Sequence, residues 1–214
     1  LMRMWNWTYT ECINRGYNEM IKQSTVYSKS TLCNIHVRHR YNTNVELQCK
    51  VRDWKAYDIA YWESYGVTLP WLKWAEIYPI SHKIVIKNGV RHLFGAAKHA
   101  YAFVEHKENH TTIKIYQPFM KEYKWANGHN GSVISLWSKI PKTGDKLIIC
   151  SSLKDALCVS CQLSIPTLAV QGEGYDMSDT AINNLKSRYN KIYVSFDTDV
   201  PGILNTKRLA ERTG

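Results

Sequence analysis

The spacing of apolar and polar positions changes character twice along the chain. In the first half, residues 45–51 alternate, with Val45, Leu47, Cys49 and Val51 separated by Glu46, Gln48 and Lys50. That period of two predicts a half-buried strand. Residues 52–66 then place Trp54, Ile59, Tyr61, Trp62 and Tyr65 at helical spacing, with Gly66 as a stop. A second helix over 69–75 leads into Ile77-Tyr78-Pro79-Ile80. Beyond Ile84 strands dominate: 83–87 alternates, Asn88-Gly89 signals a hairpin turn, and 90–93 returns. Segments 101–105 and 111–116 predict a second hairpin. Upstream, Cys12, Ile13, Tyr17, Met20 and Ile21 form one stripe of a helix starting near Thr10, and the polar run 24–44 reads as a linker.

From residue 146 the pattern becomes one of short, nearly continuous apolar runs: 146–150, 166–171 and 191–197. Such runs are expected of parallel strands covered on both faces. The intervening segments 152–163 and 178–189 are about long enough for crossover helices, which implies a right-handed, Rossmann-like sheet. The fold class expected is therefore mixed: an α+β region over 45–144, preceded by the helix and linker of 1–44, and an α/β sheet over 145–214. In a parallel sheet the carboxyl ends of the strands face the functional crevice. Asp155 comes soon after the first run, and Asp197 and Asp199 end the third, with Pro201-Gly202 turning the chain away. Two carboxylates at alternate positions share a side of the strand, and paired oxygen ligands suit Mg²⁺ or Mn²⁺. An Asp-x-Asp pair alone is equally compatible with a solvated turn; the third acid on the neighbouring strand end favours metal binding.

Charge adds a partner class. The net charge is +10, and residues 1–145 hold 20 Lys and Arg against 11 Asp and Glu, whereas 146–214 hold 8 against 7. A basic body upstream of an acidic cluster suits a polyanion held while phosphate chemistry occurs. The 26 aromatic residues support a core, and helical spacing favours packing over base stacking for most of those in 52–66. The run 30–40, with His36, Arg38, His39 and Arg40, either touches nucleic acid or is a solvated linker. No apolar run reaches the ~18 residues of a membrane span, and residues 1–7 lack a signal-peptide core. The chain reads as a cytoplasmic piece of a longer protein. Its six cysteines are expected to be reduced. Cys158 and Cys161 fall inside a helix and read as packing residues; Cys33, His36, His39 and Cys49 lack the second close pair that a zinc site needs.

The order Ser151-Ser152-Leu153-Lys154-Asp155, Gly172, then Asp197-Thr198-Asp199-Val200-Pro201-Gly202 resembles the TOPRIM domain of bacterial and phage DNA primases. The second motif matches that family's Asp-x-Asp-x-x-Gly in full. In the first, Ser151 stands where the family has Glu and Ser152 where it has Gly, while Asp155 is kept. The stretch from Asp58 to Ile80 resembles the segment that precedes TOPRIM in phage primases. The resemblance implies template-directed synthesis of RNA primers from ribonucleoside triphosphates on single-stranded DNA, with a divalent metal on Asp197 and Asp199 beside Asp155. Glu173 is the nearest candidate for the role of the absent Glu. Lys114, in a basic Lys-x-Tyr strand, would bind template or nucleotide phosphate, supported by Lys124 and by Lys154 of the first motif. A zinc ribbon upstream and a replicative helicase partner are also implied. Two other classes stay open: a TOPRIM nuclease or topoisomerase-like enzyme, and a non-catalytic DNA-binding module that lost activity with its Glu.

Overall fold

A computed structural model describes residues 45–214 apart from 108, 109, 130 and 173. The helix from Thr10, the linker 24–44, the Cys33/His36/His39 group and Glu173 lie outside the described residues. The first half is an antiparallel sheet with two helices. Strand β1 (Val45–Val51) pairs with the second half of the long β2 (Ile77–Lys87), which also pairs with β3 (Val90–Gly95). The β2–β3 turn has φ of 51° at Asn88 and 76° at Gly89, the left-handed pair that an Asn-Gly hairpin requires. The first residues of β2 pair instead with β4 (Tyr101–Lys107), and β5 (His110–Tyr116) and β6 (Trp125–Asn127) continue the sheet outward. Pro79 opposes Tyr101 in that short ladder, so Ile77-Tyr78-Pro79-Ile80 opens a strand rather than linking helix to sheet. Helix α1 (Ala56–Glu63) starts four residues later than the pattern of 52–66 predicts, and α2 (Leu69–Trp74) comes after the turn at Gly66, φ 78°.

The late start of α1 has a local cause. Arg52 forks onto the fully buried Asp58 at 2.6 and 3.0 Å, and Asp58 also accepts the Lys55 N–H at 3.0 Å and the Tyr101 hydroxyl at 3.1 Å. The carboxylate thus caps the helix and ties it to β4. Burial of an ion pair is tolerable when the remaining lone pairs find donors.

The second half is a parallel sheet in the order β8-β7-β9, from β7 (Gly144–Cys150), β8 (Thr167–Ala169) and β9 (Tyr189–Ser195). Its helices are α3 (Leu153–Leu163), α4 (Asp179–Arg188) and α5 (Val200–Thr213). Each opens on a side-chain cap: Ser152 accepts from Asp155 N–H, Ser178 from Ala181 N–H, and Asp199 from Gly202 N–H. The expectation that all three strands are covered on both faces fails for β9. Its Lys191, Tyr193 and Ser195 are exposed: these alternate positions share one face, and that face meets solvent. The two halves share a core. Trp62, Phe103 and Tyr116 from the antiparallel half join Leu136, Leu147, Ile149 and Leu168 in one cluster. A smaller cluster, Ile80, Ala100, Ala102 and Ile115, lies on the other side of the antiparallel sheet.

Candidate active site at the carboxyl edge of the parallel sheet

The register of the parallel sheet sets three strand ends level: Cys150 lies opposite Ala169 on one side and Ser195 on the other. The segments leaving the three strands therefore meet at one edge. After β7 come the buried Ser151 and, in the first turn of α3, Asp155; after β8 come Gln171 and Gly172; after β9 come Asp197 and Asp199.

The Asp-x-Asp-x-x-Gly spacing has a steric meaning here. Asp197 follows the end of β9 by two residues, and Asp199 caps α5 through Oδ1, 2.9 Å from the Gly202 N–H. Gly202 sits so close beneath that a Cβ there would lie 2.1 Å from the Asp197 carbonyl oxygen and 3.0 Å from Asp199 Oδ1. The glycine lets the helix start against the strand end, which leaves both aspartates exposed at the rim, Asp197 two residues beyond β9. Asp155 is held differently: its Oδ2 accepts the Ser152 hydroxyl at 2.5 Å, while its own N–H reaches the Ser152 oxygen at 3.3 Å.

These contacts bear on metal binding. Among the described residues, no three His, Cys, Asp or Glu side chains come together in an arrangement that would hold a metal ion. Asp155 is turned into its serine cap and Asp199 commits one oxygen to its helix. The pair Asp197 and Asp199 still presents the donor chemistry that Mg²⁺ takes when it keeps most of its waters. Neither the C-x-x-C of α3 nor Cys150 joins such a group. Burial pushes the Cys158 and Cys161 thiols up to about 11 and Cys150 to about 12, the signature of inert packing cysteines.

The cations arrive from two directions. Lys114 projects from the face of β5 that carries Tyr116, and its Nζ donates to the Gln171 carbonyl at 3.0 Å, directly beyond the end of β8. It also lies 4.7 Å from the centre of the Trp125 ring. Burial lowers its pKa to about 8. Its neighbour His129, bonded to Thr112 Oγ1 at 2.7 Å, is held uncharged by burial and by Lys114, its pKa lowered to about 3. Lys154, beside Asp155, stands over the Tyr65 ring at 4.0 Å. Lys124 is exposed, 6.0 Å from the Tyr116 ring centre. Tyr116 itself is core, its hydroxyl paired with that of Tyr61.

Sequence reasoning missed three residues that build this edge. Gln171 is buried and bonds the Val133 carbonyl and the Ser135 hydroxyl at 3.3 and 3.2 Å. Ser135 in turn exchanges backbone hydrogen bonds with Ala169 of β8. Glu105, on the core-facing side of β4, accepts the Leu136 N–H at 3.3 Å, and desolvation raises its pKa to about 7. Leu136 has φ of 66°, so this carboxyl secures a left-handed residue. Alternation along β4 puts Glu105 on the face of Tyr101 and Phe103, which was the available signal. For Gln171 and Ser135 nothing local marked the role.

No protein-family model matches the sequence, and neither does any curated protein. Comparison with solved structures does find the fold. The DnaG catalytic core superposes with a TM-score of 0.54 at 11% identity, covering 92% of this chain and 66% of that one. The DnaG primase catalytic domain bound to single-stranded DNA gives 0.53 at 11%, covering 94% and 66%. The Aquifex aeolicus primase, zinc-binding and RNA polymerase domains, gives 0.53 at 12%, covering 74% and 47%. The chain thus spans under two thirds of the length of each of these proteins. With its antiparallel half, its three-stranded parallel sheet and the level strand ends between them, the chain has the mixed α/β fold of the DnaG-type primase core.

Proposed function

We propose that this chain is the catalytic core of a DNA primase, joining ribonucleoside triphosphates on a single-stranded DNA template, and that its parallel half is a TOPRIM domain. The observation that carries the reading is the edge where Asp197 and Asp199 stand at the rim while Lys114, rooted in the other half, reaches Gln171. Asp197 and Asp199 would hold Mg²⁺ or Mn²⁺, which supplies charge compensation at the triphosphate. Lys114 draws the phosphates of template or nucleotide to the same edge, with Lys154 and Lys124 extending the positive field. Asp155 keeps Ser152 and the start of α3 in place beside them. As a basic primase core, the protein would work in the cytoplasm with a replicative helicase.

One observation favours a second reading. Ser151 is buried at the end of β7, and a neutral hydroxyl there cannot serve as a base. A DNA-binding module without catalysis would have this feature. Synthesis of labelled RNA primers on single-stranded template separates the readings. Products that disappear in Asp197→Asn support the primase; template binding without products supports the module; a cut template supports a nuclease.

A further inference from the structure

Helical spacing in 52–66 sends Tyr61 and Trp62 into the core but leaves a different set of rings at the surface. Tyr57 and Tyr65 flank Tyr61 on α1 and in the turn after it, and both are at least partly exposed. Two rings from elsewhere complete the set. His99, just before β4, lies 5.0 Å from Tyr57 and 4.9 Å from Phe119, both edge-on. Phe119 stands 5.6 Å from Tyr61, which is 5.3 Å from Tyr65. Phe119 is 69% exposed and Tyr65 37%, although Phe119 touches two rings and Tyr65 one. Rings left this exposed are poor packing and a good platform, Phe119 with most of its surface in water and Tyr65 beneath the Lys154 ammonium.

Cations sit at both ends of this strip. Lys98 Nζ lies 4.7 Å from the Tyr57 centre, and Lys154 Nζ 4.0 Å from that of Tyr65. Arg52 also lies over Tyr57, but its charge is already paired with Asp58. Burial holds the His99 imidazole below its ordinary value, so near neutrality it joins the strip as an uncharged ring. The strip ends at Lys154, one residue from Asp155, at the carboxyl edge of the parallel sheet.

We propose that this strip is the track on which single-stranded DNA enters the site, bases stacking on Phe119 and Tyr65 and phosphates meeting Lys98 and Lys154. The inference rests on the primase reading for the choice of DNA. Alternating flat rings and cations are what a strand of unpaired bases requires, since every base has a face to stack and every nucleotide a charge. Lys114 reaches the same edge separately, beyond the end of β8, so the track and Lys114 converge on it from different elements.

The test uses the 214-residue chain and fluorescence anisotropy with labelled oligo(dT), with inorganic polyphosphate as a probe that has charge but no bases. Phe119→Ala and Tyr65→Ala should each weaken oligo(dT) binding about tenfold, leave its salt dependence unchanged and leave polyphosphate binding at the parent level. Phe119→Trp should bind as the parent does. Lys98→Ala and Lys154→Ala should each lower the salt slope by about one. Since Phe119 is mostly exposed, circular dichroism should show its variants folded. Aromatic variants that bind oligo(dT) like the parent, or that lose polyphosphate equally, overturn the track. If they bind and prime like the parent, the track fails and the primase reading stands. If the parent makes no primers but the variants lose oligo(dT), the primase reading fails and the track stands.

Discussion

Asp199 caps α5 and, in the proposed function, also ligates the metal ion; a single substitution can separate the two. As the cap of α5 it needs an oxygen; as a cation ligand it needs a charge. Asp199→Asn keeps the first and should leave thermal stability near the parent value while abolishing Mn²⁺ binding, read by calorimetry, when combined with Asp197→Asn. Asp199→Ala loses both and should cost about 1 kcal/mol in addition. Gly202→Ala forces a methyl against the Asp197 carbonyl and should destabilise by about 1–3 kcal/mol, moving the aspartates apart in the process. Parent-like stability and Mn²⁺ affinity in Gly202→Ala would contradict the steric account of the motif. Lys114 offers a pH test. With its pKa lowered to about 8, the free protein carries a part-charged lysine under assay conditions, and a bound phosphate recharges it. Triphosphate affinity should therefore fall as pH rises through about 8, well below the range where an ordinary lysine titrates. Lys114→Arg should bind with no such fall.

At the scale of elements, the sequence patterns located nearly everything that repeats. The alternation of 45–51 is β1 residue for residue, the Asn88-Gly89 turn is where the hairpin closes, and the three apolar runs are β7, β8 and β9 in a parallel sheet. The acids at the strand ends were visible because the motif fixes their spacing. The misses have physical causes. Helix α1 begins late because a buried ion pair, made across six residues, overrides the local pattern. The exposed face of β9 depends on what packs over the sheet, which no run of residues encodes. The Glu105–Leu136 contact joins elements 31 residues apart, and it makes a prediction of its own. Between the ordinary carboxylate range and about 7, the folded protein binds a proton that the unfolded chain releases. Stability should fall as pH rises across that window, by on the order of 3 kcal/mol in the limit, and Glu105→Gln should flatten the slope in urea denaturation. In α3, changing Cys158 and Cys161 to Ala should leave zinc content at zero and cost modest stability; stoichiometric zinc in the parent that vanishes in the double variant would refute their packing role.

Over the whole molecule the charges are segregated: the excess of basic residues lies before residue 146, and the acids of the motif lie after it. Replacing Lys114 and Lys124 by Ala should flatten the salt dependence of single-strand binding by about two in the log–log slope. Unchanged binding at low and moderate salt would move the affinity elsewhere. The Ser135–Ala169 bridge carries a mechanical consequence. It stitches the connector between the halves onto the outer strand of the parallel sheet by two backbone bonds, 2.8 and 3.2 Å, and Lys114 and Gln171 rivet the same spot. Fastened there by two bonds, the amides of Ser135 and Ala169 should exchange with solvent as slowly as those of the central strand β7.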